Sequence, residues 1–198
     1  GYKNLDELTE RIDRFSYRVL KKDCLDLPEK IYTVRYVEMT KQQREMYNSI
    51  KQYALVMLDS GELSTAPAVI TQMLRLQQIM SGHLKTDDGE TIYFESKRMD
   101  ALKEVIEEHD GKAIIWSRFR YDIQQITKML NETFGEGCAA SFYGDTPDDE
   151  RQRIVEKFQD KNSKLKFFVG NPATAGYGLT LTEADLVVYY ANDFNLET

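Results

Sequence analysis

Residues 170–192 read G-N-P-A-T-A-G-Y-G-L-T-L-T-E-A-D-L-V-V-Y-Y-A-N. A loop of glycine, small residues and threonine runs into an apolar, β-branched and aromatic segment from Leu186, the composition of a buried strand. Three segments of the same kind precede it: A-I-I-W-S from Ala113, C-A-A-S-F-Y from Cys138 and L-K-F-F-V from Leu165. Their starts lie roughly 20 to 30 residues apart, the length of a βα unit. Ile123, Ile126 and Leu130 trace one helical face between the first pair, and Ile154, Val155 and Phe158 trace another between the second. Thr146-Pro147-Asp148-Asp149 offers that second helix a Thr N-cap, a proline at N1 and an acid at N3. Near-continuous apolar strands alternating with amphipathic helices predict a doubly wound α/β domain, its parallel sheet covered on both faces.

The chain ahead of this domain is richer in helix. A short helix is expected over residues 4–14, and Pro28 disfavours helix before it. I-Y-T-V-R-Y-V-E-M, residues 31–39, reads as a strand. Thr40 is the expected N-cap of a helix to about Leu58, with Gln43 at the capping-box position. A second helix is expected over residues 66–80, with Val69, Met73, Leu76 and Met80 as its core stripe. D-D-G-E at residues 87–90 predicts a small hairpin, and a third helix runs over residues 97–108. The expected organisation is an N-terminal helix and linker (1–30), a strand plus helical subregion packed on the core (31–110), and the α/β core (111–198).

Composition bounds the function. The 198 residues are 41% hydrophobic and 30% charged, the balance of an ordinary globular protein, and no apolar run approaches the length of a membrane span. The polar N-terminus lacks the apolar region of a secretory signal. Cys24 and Cys138 are far apart with no neighbouring Cys or His, which predicts neither a disulfide framework nor a zinc site and points to a reducing cytoplasm. The net charge of −7 gives no global attraction to nucleic acid, so any such site must be local. No G-x-x-x-x-G-K-[ST], dinucleotide fingerprint, nucleophile elbow or H-E-x-x-H occurs. The chain is not expected to be a self-sufficient enzyme.

Ligands of open parallel sheets bind beyond the carboxyl ends of the strands. Those ends carry Ser117, Arg118, Phe119 and Arg120; Tyr143, Gly144, Asp145 and Thr146; Asn171 to Thr174; and Asn192 with Asp193. Gly176 and Gly178 could let backbone amides approach a phosphate, with Thr174 and Thr180 adding hydroxyls, or they could simply shape a turn. Arg118 and Arg120 could be solvated loop charges, and Arg151 could pair with Glu150 or Asp148. His83 and His109 have no partner nearby in sequence and read as non-catalytic.

Five blocks, in order, resemble the second RecA-like domain of superfamily-two helicases of the Swi/Snf type, most closely their compact bacterial and phage branch. They are L-P-E-K-I-Y-T-V-R-Y-V-E-M-T-K-Q-Q-R-E-M-Y from Leu27, M-L-R-L-Q-Q-I-M-S-G-H-L from Met73, A-I-I-W-S-R-F from Ala113, F-Y-G-D-T-P-D-D-E-R-Q-R-I-V-E-K-F from Phe142, and N-P-A-T-A-G-Y-G-L-T-L-T-E-A-D from Asn171. The resemblance implies a RecA-like fold in the motor core of an ATP-dependent DNA helicase or translocase. It implies DNA-backbone contacts at Ser117, Arg118, Phe119, Gly144, Thr146, Arg151 and Thr174, and an ATP-cleft wall at Gly176, Gly178 and Thr180. ATP and magnesium would be held mainly by a first RecA-like domain, whose P-loop and acidic metal-binding motif this chain does not carry. The family's next block, with its arginine finger, would follow residue 198. The resemblance thus implies a piece of a larger ATPase, inactive alone and monomeric, with DNA and the first RecA-like domain as partners and no membrane association.

Asn171-Pro172 departs from the Ser-Thr common in eukaryotic relatives. Two rival readings are the nucleotide-sugar-binding half of a glycosyltransferase and a degenerate helicase-like module that docks a partner protein.

Overall fold

Leu5, Leu8 and Ile12 recur at helical spacing, and Leu5–Asp13 forms α1, with Asp6 and Glu7 in its first turn and Arg11 in its last, the arrangement the helix dipole favours. The computed structural model describes residues 3–17, 19–20, 24, 29–61, 65–86, 88–175 and 178–192. They fall in two compact units, residues 1–35 and 36–198. In the first unit none of the α1 residues is buried, and Arg11 pairs with Glu7 one turn earlier at 2.6 Å.

Residues 31–39 form no regular element, contrary to the strand expected there. Tyr36 is 95% exposed and Ile31 and Tyr32 nearly as much. Their β-branched and aromatic character favours a strand only where a ladder partner and a surface to cover are available. Pro28, expected to punctuate the chain before them, lies outside the described residues.

In the second unit, α2 (Lys41–Asp59) opens with the expected capping box: Gln43 N donates to Thr40 Oγ1 at 3.2 Å, and Thr40 N donates to Gln43 Oε1 at 3.0 Å. The Gln43 side chain is buried, and its Nε2 donates to the carbonyl of Ile79 at 2.8 Å, at the end of α3 (Ala66–Met80). One glutamine thus starts one helix and satisfies the end of the next. The expected methionine stripe is only partly core: Ile79 is the fully buried residue, whereas Met73 is exposed. A hairpin of β1 (His83–Lys85) and β2 (Thr91–Tyr93) follows, then α4 (Arg98–Glu107), both as expected.

The sheet is built from β3 (Lys112–Ser117), α5 (Arg120–Phe134), β4 (Ala139–Phe142), α6 (Asp148–Gln159), β5 (Phe167–Gly170), the single turn α7 (Pro172–Ala175) and β6 (Ala184–Ala191). Its order is β4-β5-β3-β6 with every pairing parallel, Ile115 lying opposite Val169 on one side and Val188 on the other. Both faces are covered, which is why β3 is apolar at successive positions. Ala113 and Ile115 join a core with Leu102, Ile106, Ile123, Ile126 and Leu130 from α4 and α5. Ile114 and Trp116 join another with Phe142, Ile154, Phe158 and Phe168.

Thr146 is not the cap of α6. Pro147 occupies that position without a side-chain bond, and Thr146 is buried, accepting from Tyr143 N at 3.1 Å. The helix start is served instead by Asp148, Asp149 and Glu150, all in its first turn.

Candidate nucleic-acid interface

The carboxyl ends of the four strands are tied into one rim. Asn171, just past β5, donates its backbone N–H to Phe142 O of β4 at 3.0 Å and its side-chain Nδ2 to Arg118 O, just past β3, at 2.9 Å. Arg118 N in turn donates to Ala191 O of β6 at 3.2 Å. Asn171 Oδ1 accepts from Ala173 N at 2.9 Å, opening the α7 turn. The β5 strand can end directly beneath this knot because Gly170 has no side chain: a Cβ there would lie 2.8 Å from both Phe168 and Trp116.

Three arginines stand at or beside the rim in different electrostatic states. Arg120 is paired with Asp145 at 2.6 Å, and its guanidinium lies 5.8 Å from the centre of the Tyr143 ring. Arg151 pairs with Asp148 at 3.3 Å and donates to Gly144 O at 3.0 Å. Arg118 instead donates to a neutral amide, Gln77 Oε1, at 3.4 Å, and the same Gln77 reaches Asn192 O at 3.3 Å. Its positive charge is therefore not cancelled by that contact.

Beneath Arg118 lies a buried polar group. Ser117 Oγ donates to Asp122 Oδ2 at 2.9 Å and accepts from Phe119 N at 3.4 Å. His83 Nδ1 lies 3.6 Å from Asp122 Oδ1, too long for a hydrogen bond, and has no hydrogen-bond partner among the described residues. The His83 ring meets Phe119 edge-on, centroids 5.1 Å apart. Arg98 donates to Ser81 Oγ at 3.3 Å and to the carbonyl of Tyr190, whose ring it also covers at 4.8 Å. Burial lifts the Asp122 carboxyl to about 6, opposed by hydrogen bonds from Ser117 and Ser81 and by the charge of Arg98. Burial alone lowers the His83 imidazole to about 4, and burial, reinforced by Asp122, drives the Tyr190 phenol up. At neutral pH the group therefore holds a carboxylate beside an uncharged imidazole.

The sequence-predicted residues divide accordingly. Arg118 stands on the rim, with half-buried Thr174 on α7 beside Asn171, to whose carbonyl its N–H donates at 3.0 Å. Gly144, Thr146 and Arg151 come together at the β4–α6 turn, Gly144 exposed and Arg151 half-buried. Ser117, Phe119 and Thr146 are buried, below the rim rather than on it. Gly178 is exposed with φ of 77°, a left-handed turn that suits glycine, and Thr180 is exposed two residues on. Gly176 and Asp193 lie outside the described residues. Sequence reasoning missed the linking roles of Asn171 and Gln77 and the burial of Asp122 with His83. An Asn-Pro pair after a strand is a readable turn signal for the first of these; the others join residues too distant in sequence to signal locally.

Residues 97–198 match the model of the helicase conserved C-terminal domain, and residues 1–84 match that of the SNF2-related domain. Over 213 residues the chain is 26% identical to the human SWI/SNF-related matrix-associated actin-dependent regulator of chromatin subfamily A member 1, covering 98% of this chain and 20% of that protein. It thus spans between about a tenth and a fifth of the length of the curated relatives it matches. Among solved structures it is similar to the Sulfolobus solfataricus SWI2/SNF2 ATPase C-terminal domain (27% identity, TM-score 0.67, covering 82% of this chain and 72% of that one). It is likewise similar to the Sulfolobus solfataricus SWI2/SNF2 ATPase core in complex with dsDNA (28% identity, TM-score 0.66, covering 93% and 40%). The four-stranded parallel sheet flanked by helices is the RecA-like fold of those structures. The chain belongs to the helicase conserved C-terminal domain family of superfamily-two helicases and is homologous to the SWI/SNF ATPases.

Proposed function

We propose that this chain supplies the C-terminal half of the motor core of an ATP-dependent DNA translocase or helicase, gripping the DNA backbone and forming one wall of an ATP cleft. The observation that carries this reading is the rim itself: tips of four parallel strands hydrogen-bonded together, with Arg118 presented there next to an amide rather than a carboxylate. A guanidinium so placed neutralises a phosphate without reading a base, so binding is sequence-independent and weakens with salt. Arg118 and Thr174 face the DNA, with Gly144 and Arg151 extending the contact along the β4–α6 turn. Ser117, Phe119 and Thr146 act from below.

Gly178 and Thr180, exposed on the loop into β6, fit a cleft wall rather than a complete nucleotide pocket. ATP and magnesium sit mainly on a first RecA-like domain, and nucleotide hydrolysis supplies the free energy for opening and closing the pair. What this chain contributes is the surface that closes and the phosphate contacts that tighten or loosen with it. We place the motor in the compact bacterial and phage branch, acting as a monomer in the cytoplasm, a compartment that suits the free thiols of Cys24 and Cys138. Residues 1–30 serve as its N-terminal helix and linker, the helices and hairpin of 41–110 as a subregion packed on the core, and 111–198 as the RecA-like core.

The test is DNA binding by the chain across a salt series, with Arg118→Ala beside it. The variant binds more weakly and lowers the log–log salt slope by about 0.9, one phosphate's worth. An unchanged slope removes Arg118 from the contact. Alone the chain hydrolyses no ATP, with or without DNA, and robust turnover rejects this division of labour.

A further inference from the structure

Asp122 belongs to the apolar face of α5, beside Ile123 and Ile126, and only 2% of it is exposed. A buried carboxylate without a matched cation is usually less stable than an apolar side chain of the same volume. The guanidinium of Arg98, whose charge acts on Asp122, spends its donors on Ser81 and on the Tyr190 carbonyl. Across from the second carboxylate oxygen stands the His83 ring, 3.6 Å away. The carboxylate binds the hydroxyl of Ser117 of β3 at 2.9 Å. Ser117 Oγ also receives Phe119 N. The residue between these two anchored positions is Arg118, whose guanidinium is steadied by Gln77, again from α3.

We propose that Asp122 is a positioning residue for the nucleic-acid contact: through Ser117 it locks the β3–α5 turn, fixing where Arg118, steadied by Gln77 of α3, presents its charge. The inference rests on the DNA-binding reading above. The carboxylate touches no nucleic acid. It trades packing energy for a fixed turn, and α3 becomes the backstop against which the rim is held.

The experiment compares wild type, Arg118→Ala, Asp122→Leu, Asp122→Asn and the double variant Arg118→Ala/Asp122→Leu in the full 198-residue chain, binding a fluorescent duplex of random sequence across a salt series, with melting temperature recorded in parallel. Asp122→Leu melts no lower than wild type, yet binds about fivefold more weakly and loses about one unit of salt slope, as a displaced phosphate contact should. Asp122→Asn retains an oxygen for Ser117 and recovers most of the affinity. The double variant binds no more weakly than Arg118→Ala, because both remove the same contact. Should Asp122→Leu fail to fold, Ser117→Ala carries the same expectation on the slope.

Asp122→Leu and Ser117→Ala with wild-type slopes, or a double variant whose losses simply add, overturn the inference while Arg118→Ala still upholds the DNA reading. A wild-type chain that does not bind the duplex, or an Arg118→Ala variant that matches it, overturns both.

Discussion

The two faces of the parallel sheet are sealed by different chemistry. Toward α4 and α5 the packing is mainly aliphatic, Ile115 and Val169 meeting Leu102, Ile106, Ile123, Ile126 and Leu130, with Phe119, Phe167 and Tyr190 completing it. Toward α6 it is aromatic and centred on Phe168, whose ring lies 5.2 Å from Phe142 and 5.8 Å from both Trp116 and Phe158. The aliphatic face also borders the buried group of His83, Ser117 and Asp122, directly under the rim. The contrast separates two duties. One face holds the sheet together by ring packing around a single residue; the other gives up some packing to fix a turn that faces outward.

The sharpest way to break this contrast is Phe168→Ala. Removing the ring that three others touch costs about 3–5 kcal/mol, read as a shift in the urea unfolding midpoint. A loss nearer 1 kcal/mol would mean that the aromatic face is not organised around Phe168.

A smaller, pH-dependent effect tests the aliphatic face. Asp122 is raised from 3.8 to about 6, so its contribution is present below pH 3.8 and is lost as pH rises through 6. His83 is lowered from 6.5 to about 4, so its contribution is present above pH 6.5 and is lost as pH falls through 4. Between about pH 4 and 6 the two oppose each other, and wild-type stability carries little net slope from the pair. His83→Phe leaves Asp122 alone, and stability then falls with rising pH across that window. Asp122→Asn leaves His83 alone, and stability rises instead. Each slope is at most about 1.4 kcal/mol per pH unit. Unfolding free energies measured at half-unit intervals from pH 4 to 7 decide it, and parallel curves for the two variants would sink the account.

The least effect is expected at the margin of the aromatic face. Val187 and Tyr189 of β6 share the side of Ile114 and Trp116 but stand 46% and 57% exposed. Val187→Ser should change stability by no more than about 0.5 kcal/mol, as surface substitutions do. A larger loss would make the margin part of the sealed core.

The α/β architecture was legible because β3 to β6 are short apolar runs separated by helical periodicity, a signal that survives whatever the surroundings. The capping box at Thr40 and the hairpin at residues 83–93 were legible for the same local reason. Residues 31–39 misled because alternation of β-branched and aromatic residues records a preference, not a partner. Thr146 has the right residue type for a cap, but its hydroxyl closes the turn behind it. At the rim, strand ends could be read off the sequence, so Arg118 and Thr174 were within reach. Which of those side chains sink below the surface was not, because Ser117 is drawn inward by Asp122 and Phe119 by the ring of His83.

The strand order has a consequence for how the protein is made. β3 lies between β5 and β6, both of which follow it in the chain, while β4, the next strand synthesised, pairs with β5 and not with β3. A nascent chain that has just released β4 from the ribosome therefore exposes two strands with no native bond to each other. They become neighbours of a common strand only when β5 inserts between them, and β3 keeps an open edge until residue 191 has emerged. A translational pause between β4 and β5 is thus the moment of greatest exposure to mispairing, and the interval in which a holdase would do most good.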